Sequence, residues 1–451
     1  MVRKIAWGVV VFLILILLFI VSAIAPIDES PLDTFDAINT TSERVKELKL
    51  TPNMGEDSIQ VGWASINITP QTPIDMAGYG PRGPYTSVAD SLFARAVVLS
   101  NGAHEVVIIS LDLLMFPRFV KSEIQEALKE YGFSPPDIFL SATHTHNAFG
   151  NWEQSAAGEF IFGDFNQGNV AFLVNQILTC VEDALANTSK AQIGFQKIDA
   201  NELVVNRLAP KTGSKDPYLR VISLLKANGK KGVITSFSGH AVNLDADIWE
   251  INRDYPGVLV DQLERDPTID FAMFCAGMVA SHNIASTFPK GNERILTTGQ
   301  VLADKIINQQ DSLPYSSNSA MSALDIEIGL PPSQLRISKK LRLRDWIFRA
   351  FLGPLQANIK VLAIGDILMI GMPCDFSGEL SVNNQLDQFA ADHGKELFIT
   401  SFNGNYIGYI TEDAHYATCD HDEVKSLNWV GPFKGAYFTQ IIKNIIEASG
   451  S

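Results

Sequence analysis

Cysteine is scarce in this chain of 451 residues, which has only four: Cys180, Cys275, Cys374 and Cys419. They are widely spaced and no two form a Cys-x-x-Cys pair, so neither a disulfide scaffold nor a cysteine-only metal site is indicated. Basic charge is also short. Against 50 Asp and Glu there are 35 Lys and Arg, a formal net charge of −15. That balance argues against nucleic acid as a partner, because phosphate binding needs basic surface. No internal repeat and no low-complexity linker divides the chain into modules.

What the chain does hold is apolar: 46% of residues are hydrophobic and 19% charged, the composition of a globular protein with a substantial core. One apolar run is long. Ala6 to Ala25 is 20 residues without a charge, enough to cross a hydrocarbon core. Arg3 and Lys4 precede it, while Asp28, Glu29, Asp33 and Asp36 follow. The excess of positive charge on the N-terminal side leaves that end in the cytoplasm and sends the rest outward. Small residues at Ser22-Ala23-Ile24-Ala25 offer a cleavage site, but the run exceeds the roughly 7–15 residues of a signal peptide's apolar region. Residues 1–25 are therefore read as a membrane anchor, or as a signal segment that leaves a secreted protein if cleaved. Residues 26–58 are polar and read as a tether, with a short helical pattern around Glu43 to Leu50.

From Ile59 onward apolar strands alternate with amphipathic helices. Ala94–Leu99 and Glu105–Leu111 read as strands, Val120–Tyr131 and Val170–Ala186 as helices. Gly232–Ser238, Phe271–Cys275, Lys360–Ile370 and Leu397–Ser401 continue as strands. This alternation predicts an α/β, mixed α+β, single large domain over residues 59–451, with Ser312–Ser319 as a surface loop.

Eight histidines serve the whole chain, yet two stand in Ser141-Ala142-Thr143-His144-Thr145-His146-Asn147, just past the apolar run Asp137–Leu140. At a strand end, one imidazole can bind a metal while the other serves as acid or base beside it. Alone, the pair reads equally well as a polar strand end. His240 stands at a second such exit, beyond Val233–Phe237. Asp375 follows another strand and a proline turn, where it could ligate or cap the next helix. Ser281 follows a glycine turn after the strand ending at Cys275, and Asn405–Thr411 is rich in tyrosine.

Taken in order, these blocks resemble the neutral/alkaline, non-lysosomal ceramidases. The resemblance rests on Gly62-Trp63-Ala64-Ser65-Ile66-Asn67-Ile68-Thr69-Pro70, Met76-Ala77-Gly78-Tyr79, Leu92–Ala96, Ser110-Leu111-Asp112 and the Ser141–His146 block, and it spans roughly residues 59–435. It implies a zinc site with His144, His240, Asp375 and Tyr409 as ligands. His146 and Arg207 become catalytic neighbours, and Ser281 falls at the family's catalytic serine. Asn283 and His421 become substrate contacts. The implied activity is membrane-anchored, zinc-dependent hydrolysis of the N-acyl amide of ceramide or a related lipid, giving sphingoid base and fatty acid by zinc-hydroxide attack. Ser281 is either a nucleophile or an orienting group. The partners implied are a lipid substrate and a membrane.

Four departures from the family pattern keep other readings open. Met278-Val279 replaces a Gly-Asp, Asp375 replaces a glutamate, and His421 replaces a tyrosine. The chain ends at Ser451, with no room for the family's C-terminal β-sandwich. A zinc amidase or esterase for another lipid or small amide, or a non-catalytic binding protein on this scaffold, fits the same residues. Leu335 to Leu355 gathers Arg336, Lys339, Lys340, Arg342, Arg344 and Arg349 around Trp346, Ile347, Phe348, Phe351 and Leu352. It reads as a segment for an anionic membrane interface, or as a strand and helix packed on the core with their basic face solvated.

Overall fold

Strands that are apolar on both faces must be covered on both, and this dictates the layering. In the Phe93–Ser100 strand, Val97 and Leu99 enter one core and Val98 another; in Glu105–Leu111, Ile108 opposes Val107 and Ile109 in the same way. The computed structural model describes residues 2–55, 58–309, 313–418 and 421–450. Cys419 and Ser312, the head of the expected surface loop, lie outside them. Within the described residues the architecture is mixed α/β. A 9-stranded sheet runs Phe271–Ala276, Lys231–Phe237, Tyr218–Lys226, Ser189–Asp199, Ile59–Asn67, Phe93–Ser100, Glu105–Leu111 and Ile138–Ala142, with Tyr315–Ser316 added on Ser189–Asp199. Pairing is antiparallel in the middle and parallel at each end of the order.

Helices Arg118–Ala127 and Gln167–Ala186 cover one part of its outer face, and Asp254–Arg265 and Asn292–Ile307 the other. Its inner face packs on a 4-stranded sheet of Met321–Glu327, Asn358–Ile364, Ile367–Gly371 and Glu396–Thr400. The far side of that second sheet lies under the Lys434–Gly450 and Asp36–Lys46 helices. The result is four layers: helix, sheet, sheet, helix.

Two expectations change. The run Lys360–Ile370 is two strands, because Gly365 takes the left-handed φ of +55° and Ile364 pairs back onto Ile367. The apolar residues on both sides of that two-residue turn hide it in the sequence. The stretch expected as a tether is packed against the domain. Ile38 and Val45, seven apart and so on one helical face, are buried at 3% and 1% exposure, and Thr41 Oγ1 accepts from Gly329 N at 2.8 Å.

The large sheet also curls. Seven steps of roughly 20–25° rotate its last strand by about 140–175° relative to its first. Its two ends meet: Ser110 Oγ donates to Phe274 O at 2.6 Å and Arg95 Nη1 to Ala272 O at 2.9 Å. The exits of Ile138–Ala142 and Lys231–Phe237, far apart in strand order, thereby open into one place.

Between the sheets lies a buried ion pair, Lys360 Nζ to Asp325 Oδ2 at 2.6 Å, with the lysine side chain 1% exposed. Removing Asp325 strands that charge. Asp325→Ala is expected to cost about 3–5 kcal/mol in denaturant unfolding, and adding Lys360→Met to recover most of it. An unchanged midpoint for the single variant contradicts this assignment.

Candidate metal centre

Past the Ile138–Ala142 strand, the chain stays on its neighbour's exit: Thr143 N donates to Leu111 O at 2.9 Å and His144 N to Leu113 O at 3.0 Å. His144 then adopts φ +64°, a left-handed conformation that costs on the order of 1–3 kcal/mol in a non-glycine residue and persists where the surroundings impose it. The ring turns inward and stacks on Phe402, centroids 4.1 Å apart at 16°. His144 Nδ1 donates to Leu114 O at 2.6 Å, which leaves Nε2 as a bare lone pair.

His146 is set by its own loop. The Arg82 guanidinium donates to Ala77 O at 2.6 Å and also to His146 O. Tyr79, whose hydroxyl donates to Leu244 O at 2.6 Å, lies 4.9 Å from the imidazole between ring centroids. His240 follows the Lys231–Phe237 strand, its N–H bonded to His282 O at 3.2 Å, while Tyr255 caps Gly239 O at 2.5 Å.

Three Nε2 atoms converge as a result: His144 to His240 at 2.9 Å, His146 to His240 at 3.1 Å and His146 to His144 at 3.3 Å. Protonation does not relieve the crowding. Burial pushes His144 down to about 3 against its Leu114 bond. Burial, the neighbouring imidazoles and Arg207 hold His146 and His240 well below the usual range. Three Nε2 atoms aimed at one point suit a cation: tetrahedral nitrogen ligands about 2.0–2.1 Å from an ion stand about 3.3–3.4 Å apart. These three histidines form the metal-capable group among the described residues, with His146 the half-buried member.

Asp375 adds a carboxylate. Its Oδ1 lies 3.4 Å from His144 Nε2 and the side chain is fully buried. Its Oδ2 accepts from Tyr406 at 2.7 Å. The short strand Asp375–Phe376 pairs in parallel with Tyr409–Ile410, putting Tyr409 in register with Asp375. Arg207 lies over the Tyr409 ring, 5.5 Å from its centroid, and donates from Nε to Ala280 O at 3.0 Å.

Ser281 sits in a different setting. It is fully buried, and its Oγ meets Ser377 Oγ at 2.7 Å, Glu379 N at 3.2 Å and His282 Nδ1 at 3.2 Å. In an extended chain, successive side chains point to opposite faces. Instead a turn, His282 N to Val279 O at 3.2 Å, brings the ring back onto Ser281. His282 Nε2 accepts from Asp216 N at 3.2 Å, so the ring proton resides on Nδ1 and the imidazole faces Ser281 as a donor. Asn283 Oδ1 is buried without a hydrogen-bond partner among the described residues. His421 is half-buried at the head of the Asp422–Ser426 helix, its carbonyl accepting from Lys425 N at 3.0 Å; its role rests on the resemblance. Met278 and Val279, both 1% exposed, pack into two hydrophobic cores, which accounts for apolar residues at those positions.

Sequence reasoning missed Tyr406, Phe402 and Arg82. Tyr406 lay inside the tyrosine-rich segment, but nothing in its spacing separates the tyrosine that braces Asp375 from the one beside it.

The family model for the N-terminal region of neutral/alkaline non-lysosomal ceramidases matches residues 59–289. A crystal structure of neutral ceramidase from Pseudomonas aeruginosa aligns with TM-score 0.73 and 17% identity, covering 86% of this chain and 73% of that one. A ceramidase complexed with C2 aligns with TM-score 0.71 and 16% identity, covering 86% and 74%. At these identities the structural likeness speaks to the fold.

Next to Ser281, Glu379 Oε2 pairs with His415 Nε2 at 2.8 Å, and both side chains are largely buried. That bond raises His415 above 6.5, while Glu379, despite burial, is drawn below 4.5. The glutamate's share of stability is lost as pH falls through its lowered value, and the histidine's as pH rises through its raised one. A double-mutant cycle of Glu379→Gln and His415→Ala should show its largest coupling between pH 4.5 and 6.5, fading on both sides. Coupling that stays constant with pH overturns the pairing.

Proposed function

This chain belongs to the neutral/alkaline non-lysosomal ceramidase family, and from that premise we propose that it is a membrane-anchored, zinc-dependent amidohydrolase cleaving the N-acyl amide of ceramide or a related lipid. The observation that carries the proposal is the convergence of His144, His146 and His240 Nε2 atoms within 3.3 Å of one another, with the Asp375 carboxylate against His144.

In this reading His144, His240, Asp375 and Tyr409 hold the ion. Zinc bound there supplies Lewis acidity toward the amide carbonyl and lowers the pKa of its water to about 7. His146, the half-buried imidazole, rests unprotonated beside the ion and is the catalytic neighbour that passes the attacking water's proton to the leaving amine. Arg207 already acts on all three imidazoles, so its charge also reaches an oxyanion formed beside them. Ser281 is taken as an orienting group that acts through the loops it holds: its oxygen already has three partners and no positioned base. Asn283 and His421 contact the polar part of the lipid.

The Arg3–Ala23 span, long and apolar enough to cross a membrane, is read as the anchor. It leaves the N-terminus in the cytoplasm and the catalytic domain outside.

Full-length protein in detergent should release fatty acid from ceramide faster than from N-acyl amino acids or simple esters. A chelator should abolish that release and zinc restore it. Full turnover after the metal is stripped refutes the metal role, and preference for another acyl substrate reassigns the lipid. Because Tyr406 braces Asp375, Tyr406→Phe is expected to weaken metal retention by about 10–100-fold, read by competition with a chromogenic chelator.

A further inference from the structure

The junction between the N-terminal helix and the domain leaves no slack. The Val2–Ala23 helix runs directly into the strand Ile24–Pro26, which pairs antiparallel with Leu341–Leu343 so that Ile24 faces Leu343 and Pro26 faces Leu341. The last carbonyls of a helix lack partners within it, and in lipid such groups must be satisfied by protein. Here the domain satisfies the last two: Trp346 Nε1 donates to Ser22 O at 2.8 Å and Arg344 N to Ala23 O at 2.8 Å. Trp346 also stands edge-on to Phe19, ring centroids 6.1 Å apart.

This contact sets a depth. Phe19 lies four residues before the end of the helix, about 6 Å along its axis, which is the level where tryptophan anchors in a bilayer's polar interface. The Asp345–Leu352 helix buries Ile347 and Phe348 in the protein but leaves Trp346 and Phe351 exposed at 46% and 54%. The Ala156–Phe162 helix packs beside it and presents Phe160 at 72% exposure. At the neighbouring hairpin tip Ile337 and Leu341 are exposed, with Lys339 and Lys340 between them.

Not all six basic residues of this segment face outward. Arg336 is buried, donating to the carbonyls of Tyr416, Val424 and Lys425, and Arg342 bonds Pro26 O and pairs with Asp28. Lys339, Lys340, Arg344 and Arg349 stay at the surface, Arg349 in an ion pair with Asp345 of its own helix at 2.6 Å, a basic cluster in a chain of net charge −15.

We propose that the Asp345–Leu352 helix, the Ile337–Leu341 hairpin tip and Phe160 form a seating surface for an anionic lipid leaflet. Through it the domain is held at a fixed orientation beside the N-terminal span. Exposed aromatics enter the interface, Lys340 and Arg344 beside them meet acidic headgroups, and the span's own junction continues the same face. The proposal rests on the reading that Val2–Ala23 crosses the membrane.

The test uses full-length protein reconstituted into vesicles of phosphatidylcholine and phosphatidylglycerol. Nitroxide labels go at Phe351→Cys, Ile337→Cys, Ile16→Cys and Leu296→Cys, one at a time on a Cys419→Ser background; Cys180, Cys275 and Cys374 are buried. Accessibility to lipid-soluble oxygen against a water-soluble nickel chelate reads depth. The ratio is expected to be several-fold higher at 351 and 337 than at 296, an exposed position on the Asn292–Ile307 helix, and highest at 16. Labels at 351 and 337 as water-exposed as 296, with 16 in hydrocarbon, overturn the seating and leave the anchor standing. A water-exposed label at 16 overturns both.

Discussion

Three imidazole nitrogens lie within 3.3 Å of one another, deep enough that none readily takes a proton, and together they form a group that could hold a metal ion. Much of the fold serves to hold that arrangement in place. The curl of the large sheet brings two strand exits together. The left-handed backbone at His144, the Phe402 stack and the Leu114 carbonyl orient one ring; Arg82 and Tyr79 set the loop of another. The second sheet then delivers Asp375 from the other side, so the centre lies where the layers meet rather than on any one of them.

The surrounding polar groups divide by what they face. Asp375 has one oxygen held by Tyr406 and the other toward His144, which suits a carboxylate one methylene shorter than the glutamate common in the family. Arg207 lends the region positive potential without ligating. The Ser281 knot ties the loop after Phe271–Ala276 to the start of the Gly378–Asn383 helix through Ser377 and Glu379. A serine so engaged stabilises two loops against each other, and using it as a nucleophile requires that knot to open first.

How much was legible in the sequence follows from what each residue depends on. His144, His146 and His240 could be found because strand exits are marked by local apolar runs, and Asp375, which lies beside His144, because its block keeps the family order. The meeting of His144 with His240 could not, since it depends on twist accumulated across the whole sheet. Tyr406 was hidden because its role is to brace another side chain. The Gly365 turn was masked by strands apolar on both faces. The stretch around Ile38 and Val45 looked like a tether because few apolar residues mark it, although two at the right spacing suffice to dock a helix.

The central claim is that the convergence of histidines is a metal centre with an aspartate beside it. X-ray absorption of the purified, zinc-loaded protein tests it directly. The account requires a shell of nitrogen and oxygen neighbours at about 2.0–2.1 Å, with the outer-shell scattering of several imidazoles that weakens in His240→Ala, and no sulfur. A shell of oxygen alone, or one unchanged by removing His240, contradicts it.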